Sequence, residues 1–165
     1  RDRLRSRGLG DVYKRQEERK SEMNLPVDYI AVHIRRGDKI VSREMKELGL
    51  SLYIDAVKGK KHISRNVFIA TDDSSVKDEL KSILVAEGFN VYCNTAVTQT
   101  GFDESLFNTK DKKSRYIDTL NMLLDMDILI HSSFFIGTYT SNVSRIVPLY
   151  VGFGKSLSLD DEWKL

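Results

Sequence analysis

The sequence predicts an α/β protein with a Rossmann-like parallel sheet of four or five strands flanked by helices. Short, continuously apolar segments alternate with segments in which apolar residues recur at helical spacing. Continuous apolar strands are typical of parallel sheets covered on both faces, whereas a strand with one face in water alternates apolar and polar residues. Apolar residues make up 41% of the 165 residues, which is enough for the core of one domain.

The composition of the chain argues against a nucleic-acid partner, a membrane anchor and a disulfide. The 26 basic and 24 acidic side chains give a net charge of +2 and are mixed along most of the chain, so we expect no nucleic-acid partner. No apolar run approaches the ~20 residues that cross a bilayer, so we predict that this chain carries no membrane anchor. The single cysteine, Cys93, rules out an internal disulfide and is typical of a buried residue in a strand.

The first sixteen residues differ in composition from the rest. Residues 1–16 are rich in arginine and lack apolar periodicity, and we interpret them as a leader that is not native to the domain. The domain is therefore assigned to residues 17–165. Residues 17–24 are predicted to be the end of a helix, and Pro26 marks the entry to the first strand.

The first half of the domain contains two strands and two helices. A strand is predicted over Tyr29–Ile34, and a helix near Leu50–Lys58. The second strand is Asn66–Thr71, and the polar residues 72–75 are typical of a helix N-cap. The helix Val76–Glu87 follows. The predicted buried face of the first helix consists of Leu52, Tyr53, Ala56 and Val57.

The second half continues the alternation after one long connection. A third strand is predicted over Asn90–Cys93, and residues 94–113 form a polar loop of about 20 residues, a length that indicates function or disorder. The helix Tyr116–Met126 leads to a fourth strand, which is Ile128–His131 or, preferably, Phe134–Thr138. A last helix is predicted over Val143–Tyr150.

An anion pocket is predicted at the end of the first strand, where His33, Arg35 and Arg36 occur together. Ligands of open α/β sheets bind outside the carboxyl ends of the strands. The planar arginine fork binds phosphate oxygens in bidentate fashion, which indicates a phosphate or diphosphate. His33 shares a strand face with Arg35 and is better suited to support an oxyanion site than to move protons. The alternative is an ordinary solvated basic turn.

Polar residues at other strand ends are expected to converge on the same edge. Thr140 and Ser141 open the last helix, where hydroxyl and N–H groups favour anions, although they are equally suited to cap it. Asp72 and Asp73 either contribute to the same cleft or only cap the helix that follows them. Asp125 by itself is typical of a solvated helix residue. A metal site is not expected, since adjacent carboxylates on a turn point apart and no third ligand is placed. The usual glycine-rich nucleotide motifs are not present.

Three segments, in this order, resemble the alpha-1,6-fucosyltransferases and their protein O-fucosyltransferase relatives. They are HIRRGDK at His33–Lys39, VFIATDD at Val67–Asp73 and FFIGTYTSNVSR at Phe134–Arg145. Animal members of the family read HVRRTDK, YLATDD and CTFSSQVCR at these places. Ser158–Asp161 also resembles the Ser-Leu-Asp-Asp stretch of the family, so the resemblance covers about Tyr29 to Trp163.

The resemblance implies the C-terminal, donor-binding half of a two-Rossmann-domain (GT-B type) glycosyltransferase. Such an enzyme transfers fucose from GDP-fucose to a glycan or glycoprotein acceptor, with inversion and without a metal or other cofactor. Animal members of the family reside in the Golgi, which is the location that the resemblance implies here.

The resemblance also implies roles for individual residues of the donor site. Arg35 matches the arginine that grips the β-phosphate, and His33 and Arg36 complete its motif. Asp125 matches the carboxylate that reads the guanine N–H groups. Ser141, with its neighbour Thr140, lies in the phosphate-binding turn.

The paired aspartates Asp72 and Asp73 match residues that shape the site. Glu44 matches a proposed catalytic glutamate, for which we expect the role of general base, with Lys39 as its partner. Tyr53 matches a family tyrosine. It follows Glu44 by nine residues (53 − 44 = 9), which is also the spacing in the family.

The chain departs from the animal pattern at several positions. Gly37 replaces a threonine, one extra residue lies between Lys39 and Glu44, and Gly137 and Ser144 stand where the animal turn has cysteines. The form HIRRGD also occurs in bacterial-type alpha-1,2-fucosyltransferases, but the tryptophan pair of their later motif is missing here, so the alpha-1,6 type is favoured. The alternatives are an alpha-1,2- or protein O-fucosyltransferase, a non-catalytic nucleotide- or glycan-binding domain, and a plain structural α/β domain.

Overall fold

A computed structural model describes residues 20–36, 48–94 and 101–162, together with positions 10, 14, 17 and 18. Residues 20–23 are helical. In chain order the further elements are β1 (Ile30–Ile34), α1 (Leu50–Gly59), β2 (Asn66–Thr71), α2 (Ser74–Ala86), β3 (Asn90–Cys93), α3 (Glu104–Thr109), α4 (Lys112–Ile130), β4 (Phe134–Gly137), α5 (Asn142–Ile146), α6 (Pro148–Val151) and β5 (Ser156–Ser158).

The five strands form one parallel sheet in the order β3-β2-β1-β4-β5, which confirms the predicted fold class. The chain builds outward from β1 through β2 to β3, and then returns to place β4 on the other side of β1. The strand order therefore reverses between β1 and β4, where His33 lies opposite Ala70 of β2 and Val32 lies opposite Ile136 of β4. Ligands of open α/β sheets bind at such a switch point.

Both faces of the sheet are covered, which explains why β1 is apolar at every position except His33. On one face, Ile30, Val32 and Ile34 pack in a cluster with residues of α1 and α2. On the other face, Tyr29 and Ala31 pack in a cluster that includes residues of α4. A continuous apolar strand in a parallel sheet has this cause, since its two sets of alternating side chains both enter a core.

The predicted strands agree with the structure except at the end of the chain. The second and third strands have the predicted bounds, and the preferred fourth strand is confirmed as Phe134–Gly137. The alternative strand over residues 128–131 is wrong, because residues 128–130 are the last turn of α4. The short edge strand β5 was not predicted, since Ser-Leu-Ser is too short and polar to give a strand signal.

The helices differ from prediction in three respects. The buried face of α1 includes Tyr53 and Val57 as expected, but Leu52 is 45% exposed. The predicted long loop contains α3, which is capped by the Asp103 carboxylate. The last predicted helix is split into α5 and α6, because Pro148 has no N–H to continue a helix and instead begins one.

Two predictions from composition concern the burial of Cys93 and the presence of a membrane-spanning segment. Cys93 is a free thiol that is only partly buried, at the end of β3. Among the described residues, no helix combines the length and the apolar character that a membrane span requires.

Candidate functional site

The candidate site lies at the carboxyl ends of β1 and β4, on either side of the switch point. His33 is the fourth of the five buried residues of β1, and its Nδ1 is 2.7 Å from the Ser144 hydroxyl in α5, 111 positions away in the chain. This contact brings the arginine motif after β1 against the turn after β4. The convergence that the sequence predicted for these two strand ends is therefore present in the fold.

The contacts that hold Arg35 at the carboxyl end of β1 include Asp72 and Phe102. Its Nη1 donates to Asp72 Oδ2 over 2.9 Å, and its guanidinium lies 5.0 Å from the centre of the Phe102 ring. The side chains of Arg35 and Asp72 are 19% and 11% exposed, so this ion pair is shielded from water more than a surface pair. A guanidinium has five N–H donors, so its pairing with one carboxylate is compatible with a second anion.

Asp72 joins three segments of the site. In addition to Arg35, its carboxylate accepts the Arg36 backbone N–H over 2.7 Å and the Phe102 backbone N–H over 2.9 Å. These bonds connect the end of β1, the end of β2 and the segment before α3. The geometry gives Asp72 a positioning role toward Arg35, and the predicted contribution to ligand binding stays a prediction.

Arg36 has different surroundings from its neighbour. Its side chain is buried, with the residue 7% exposed, and Nη2 donates to the Leu48 backbone carbonyl over 2.8 Å. This bond ties the end of β1 to the segment before α1. The adjacent arginines therefore face different parts of the fold, and Arg35 is the better placed of the two for an anion in the crevice.

His33 is a neutral residue in this site. It is 8% exposed, and burial together with the nearby charge of Arg35 lowers its pKa to about 3. A group with so low a pKa is not protonated at neutral pH. A histidine with so low a pKa is a poor base, and the predicted support of an anion site by His33 stays a prediction.

The turn after β4 is fixed by one carboxylate, Asp160. Oδ1 accepts the Tyr139 backbone N–H over 2.7 Å and the Ser158 hydroxyl over 2.7 Å. Oδ2 accepts the backbone N–H and the hydroxyl of Thr140. Partial burial disfavours the Asp160 carboxylate, but hydrogen bonds from Thr140, Asp161 and the other donors outweigh it, and its pKa lies below the ordinary value.

Thr140 and Ser141 consequently differ in what they offer a ligand. The Thr140 hydroxyl is committed to Asp160, whereas the Ser141 hydroxyl makes no hydrogen bond with a described residue. Ser141 stands at the N-cap position of α5 but its side chain does not cap the helix, which leaves the capping alternative unsupported. Because α5 has only five residues, its helix dipole is small, and anion binding by the Thr140–Ser141 turn stays a prediction that rests on its side chains.

Tyr53 and Thr138 lie beneath the turn. Tyr53 is 2% exposed and belongs to the core cluster that contains α1. Burial raises its pKa to about 12, even though Arg36 and the Thr138 hydroxyl act in the opposite direction, so Tyr53 is a neutral phenol. Its predicted contact with a substrate stays a prediction.

Asp73 is an N-cap residue. Its Oδ1 accepts the backbone N–H groups of Ser75 and Val76 over 2.9 and 3.3 Å, which confirms the capping alternative for α2. Burial opposes ionisation, but these hydrogen bonds prevail and hold the pKa of Asp73 below its ordinary value. Its predicted contribution to ligand binding stays a prediction.

Asp125 lies at a different part of the same sheet edge. Its Oδ1 accepts a hydrogen bond of 3.2 Å from Nδ2 of Asn94, a buried residue that directly follows β3. Two strand spacings, about 10 Å, separate β3 from β1. The half-buried carboxylate of Asp125 is therefore placed along the edge from Arg35 and not beside it.

The predicted catalytic pair, Lys39 and Glu44, lies outside the described residues, as does the departure at Gly37. Among the residues that are described, no group of three or more His, Cys, Asp or Glu side chains is arranged to hold a metal ion.

Sequence patterns missed four residues of the site. Asn94 begins the predicted loop, Phe102 lies within it, and neither belongs to a motif. Ser144 differs from the family pattern, and Asp160 had only the resemblance of Ser158–Asp161 as a signal. All four act through contacts with residues distant in the chain, which local patterns do not encode.

Comparisons with known proteins agree with the geometry. The family model described as the alpha-(1,6)-fucosyltransferase N- and catalytic domains matches residues 7–149. No curated protein is significantly similar to the chain in sequence.

Among solved structures, the alpha-1,6-fucosyltransferase NodZ co-crystallized with GDP is 19% identical, with a TM-score of 0.60 over 86% of this chain and 42% of NodZ. A second NodZ structure, from Bradyrhizobium, is 20% identical, with the same TM-score and coverage. POFUT1 in complex with GDP-fucose is 14% identical, with a TM-score of 0.58 over 93% of this chain and 46% of POFUT1. The chain spans less than half the length of these proteins.

Proposed function

This chain belongs to the alpha-(1,6)-fucosyltransferase family, and from that premise we propose that it binds GDP-fucose and is the donor-binding half of an enzyme that transfers fucose to a glycan hydroxyl in alpha-1,6 linkage. The observation that carries the proposal is the placement of Arg35. It is oriented by Asp72 and Phe102 at the end of β1, across the switch point from the turn of Thr140 and Ser141.

The diphosphate would lie in the crevice between β1 and β4. There Arg35 supplies a permanent positive charge, and the Ser141 hydroxyl supplies a neutral donor from the other side. His33 adds a second neutral group at the base of the crevice. Similarity to NodZ co-crystallized with GDP and to POFUT1 in complex with GDP-fucose supports this choice of ligand.

The guanine base would lie farther along the sheet edge. Asp125 and Asn94 are two strand spacings from β1, a distance suited to a nucleoside whose diphosphate is bound at Arg35. A carboxylate accepts two parallel N–H bonds, as it does from an arginine fork, and the guanine edge offers such a pair. Asp125 thus gives a reason to expect GDP in preference to other nucleotides.

The proposed reaction is a single in-line displacement at fucose C1. The acceptor oxygen forms the new bond to C1 while the bond from C1 to the β-phosphate oxygen breaks, so that the configuration inverts and GDP leaves. Arg35 and Ser141 stabilise the charge that develops on the β-phosphate, a contribution of about 3 kcal/mol for each well-placed donor. Because Arg35 supplies the positive charge, the proposal requires no metal or other cofactor.

The proton of the acceptor hydroxyl needs a base. His33 is unsuited to this role, because its pKa of about 3 leaves it a very weak base. Glu44, with Lys39 as its partner, stays the predicted base.

A second candidate function is protein O-fucosylation. The similarity to POFUT1 extends over 93% of this chain, with a TM-score close to that of NodZ. The family model favours the alpha-1,6 type. The acceptor, glycan or protein, and a Golgi location are therefore to be tested on the full-length protein, with a panel of acceptors and by microscopy.

The donor proposal is tested by titrating the chain with GDP, GDP-fucose and ADP in a calorimeter. We expect GDP and GDP-fucose to bind and ADP to bind at least tenfold more weakly, since adenine lacks the paired N–H edge. Arg35→Gln should weaken GDP binding by about tenfold or more. The control Arg65→Gln alters an arginine that directly precedes β2, at the amino ends of the strands and away from the candidate site. Its side chain contacts the Gly88 carbonyl, and the substitution should leave the affinity for GDP unchanged. Failure of the wild-type chain to bind GDP would contradict the proposal.

A further inference from the structure

Ser144 is a fully buried polar residue at the base of the crevice. Its hydroxyl oxygen lies 2.7 Å from Nδ1 of His33 and accepts the backbone N–H of Thr138 over 3.4 Å. These are its hydrogen bonds in the described part of the chain. The side chain of Ser144 therefore connects β1 to the start of the turn after β4.

The direction of the hydrogen bond to His33 follows from where the Ser144 proton can go. A hydroxyl has one proton and two acceptor lone pairs, one of which takes the Thr138 N–H, and among the described residues the proton has no acceptor other than His33 Nδ1. With His33 Nδ1 as its other partner, the Ser144 hydroxyl directs its proton to that nitrogen. A neutral imidazole carries one proton in total, so a bare Nδ1 requires that Nε2 bear it.

The other ring nitrogen of His33, Nε2, is accessible to solvent near the carboxyl end of β1. In the described residues Nε2 makes no hydrogen bond, and it is not among the fully buried side-chain polar atoms that lack a partner. Nε2 is therefore in contact with solvent through the 8% of His33 that remains exposed. The direction of its hydrogen bonding decides whether this surface attracts or repels an anion.

The backbone of β4 makes room for Ser144. A Cβ atom at Gly137 would lie 2.7 Å from the Ser144 hydroxyl oxygen and 2.6 Å from Cζ of Phe135. Both distances are too short for carbon in a packed interior. The absence of a side chain at position 137 thus allows Ser144 to reach His33.

We propose that Ser144 is a positioning residue that holds His33 as the Nε2–H tautomer, so that an uncharged histidine donates a hydrogen bond to an anionic oxygen at the carboxyl end of β1. With a diphosphate as that anion, the inference rests on the proposed function. The opposite tautomer would present a lone pair to the same oxygen and would repel it. Because burial keeps His33 uncharged at neutral pH, protonation does not supply the donor in its place.

The tautomer can be read directly by nitrogen NMR of the imidazole rings. The chain has three histidines, and His62→Gln with His131→Gln leaves His33 as the single signal, since both replaced residues are exposed. In this background we expect a protonated Nε2 and a bare Nδ1. A protonated Nδ1 in the parent protein would overturn the inference.

Variants at position 144 test the cause. Ser144→Ala should mix the two tautomers and weaken GDP binding about tenfold, while Ser144→Cys, which keeps a weaker donor, should restore part of both. An unchanged tautomer and affinity in Ser144→Ala would also overturn the inference. If the parent protein does not bind GDP, the proposed function fails, and the tautomers of the parent and of Ser144→Ala still decide the role of Ser144.

Discussion

At the scale of single residues, the site is organised by side chains that hold other side chains. Asp72 orients Arg35, Ser144 contacts His33, and Asp160 fixes the turn after β4. Each is a short polar residue with several hydrogen bonds; Ser144 is fully buried, Asp72 is partly buried and Asp160 is exposed. Such residues limit the rotational freedom of the groups that would touch a ligand, which is what pre-organised binding requires.

Asp160→Asn is expected to loosen the turn. The amide keeps the size of the carboxylate but replaces one acceptor oxygen by an N–H donor, which would then face Tyr139 or Thr140 donors. We expect a loss of about 1–3 kcal/mol in the free energy of unfolding and about tenfold weaker GDP binding. Denaturant unfolding and calorimetry measure the two effects. Asp161→Asn alters the exposed neighbouring carboxylate and should change neither, whereas equal behaviour of the two variants would contradict the role of Asp160.

His33 is expected to make the protein sensitive to mild acid. In the unfolded chain His33 takes up a proton near pH 6.5, but in the fold only near pH 3. Between these values the unfolded state binds more protons, so stability falls as the pH is lowered, by up to about 1.4 kcal/mol per unit.

The effect is measured by denaturant unfolding between pH 7 and pH 4. His33→Gln should reduce the slope of stability against pH, and His62→Gln, at an exposed position, should not. A slope in His33→Gln that equals that of the wild type would show that His33 is not the responsible group.

At the scale of elements, the structural role of Asp73 in capping α2 can be distinguished from a role in ligand binding. Asp73 accepts two backbone N–H groups of the first turn of α2. Asp73→Ala should therefore cost about 1 kcal/mol of stability, and Asp73→Ser should recover most of it, because serine also caps. GDP affinity should stay within about twofold of the wild type, as the cap engages the helix. The matched control is Asp78→Ala at an exposed position of α2, and a large loss of affinity in Asp73→Ala would instead support the binding role.

The elements also show how far local patterns reach. The first three strands were predictable because their side chains enter two cores and leave a continuous apolar signal. The edge strand β5 has three residues and one neighbour, so it leaves no such signal. Likewise, motifs in the sequence indicate Arg35 and Ser141 as candidates, but Ser144 and Asp160 act across separations of 111 and about 20 residues, which only the fold brings together.

At the scale of the whole molecule, the order β3-β2-β1-β4-β5 places the candidate groups in a row along the carboxyl ends of the strands. Asp125 and Asn94 stand at the end of β3, Arg35 at the end of β1 and Ser141 after β4. This order was not predictable from the sequence alone, because periodicity indicates strands and not their neighbours. It is the reversal at β1 that turns separate polar strand ends into one elongated site.

The chain is expected to bind the donor without transferring it. It spans 42% of NodZ and 46% of POFUT1 in the POFUT1–GDP-fucose structure, and in a two-domain transferase the acceptor would be held largely by the other half. GDP binding without release of fucose or its transfer to an acceptor is the expected result for the 165 residues. Addition of the preceding half of the full-length protein should restore transfer. Turnover by the 165-residue chain alone would contradict this division of labour.

The hydrogen bonds of Asp160 also connect the edge strand β5 to the turn after its neighbour β4. Asp160 follows β5, the outermost strand, and the backbone N–H of Leu159 donates to Gly137 at the end of β4 over 2.9 Å. Separation of β5 from β4 would therefore withdraw the carboxylate from the turn at the same time. By thermodynamic linkage, a ligand bound at the turn holds the edge strand closed, and a fluctuation that opens the edge strand releases the ligand.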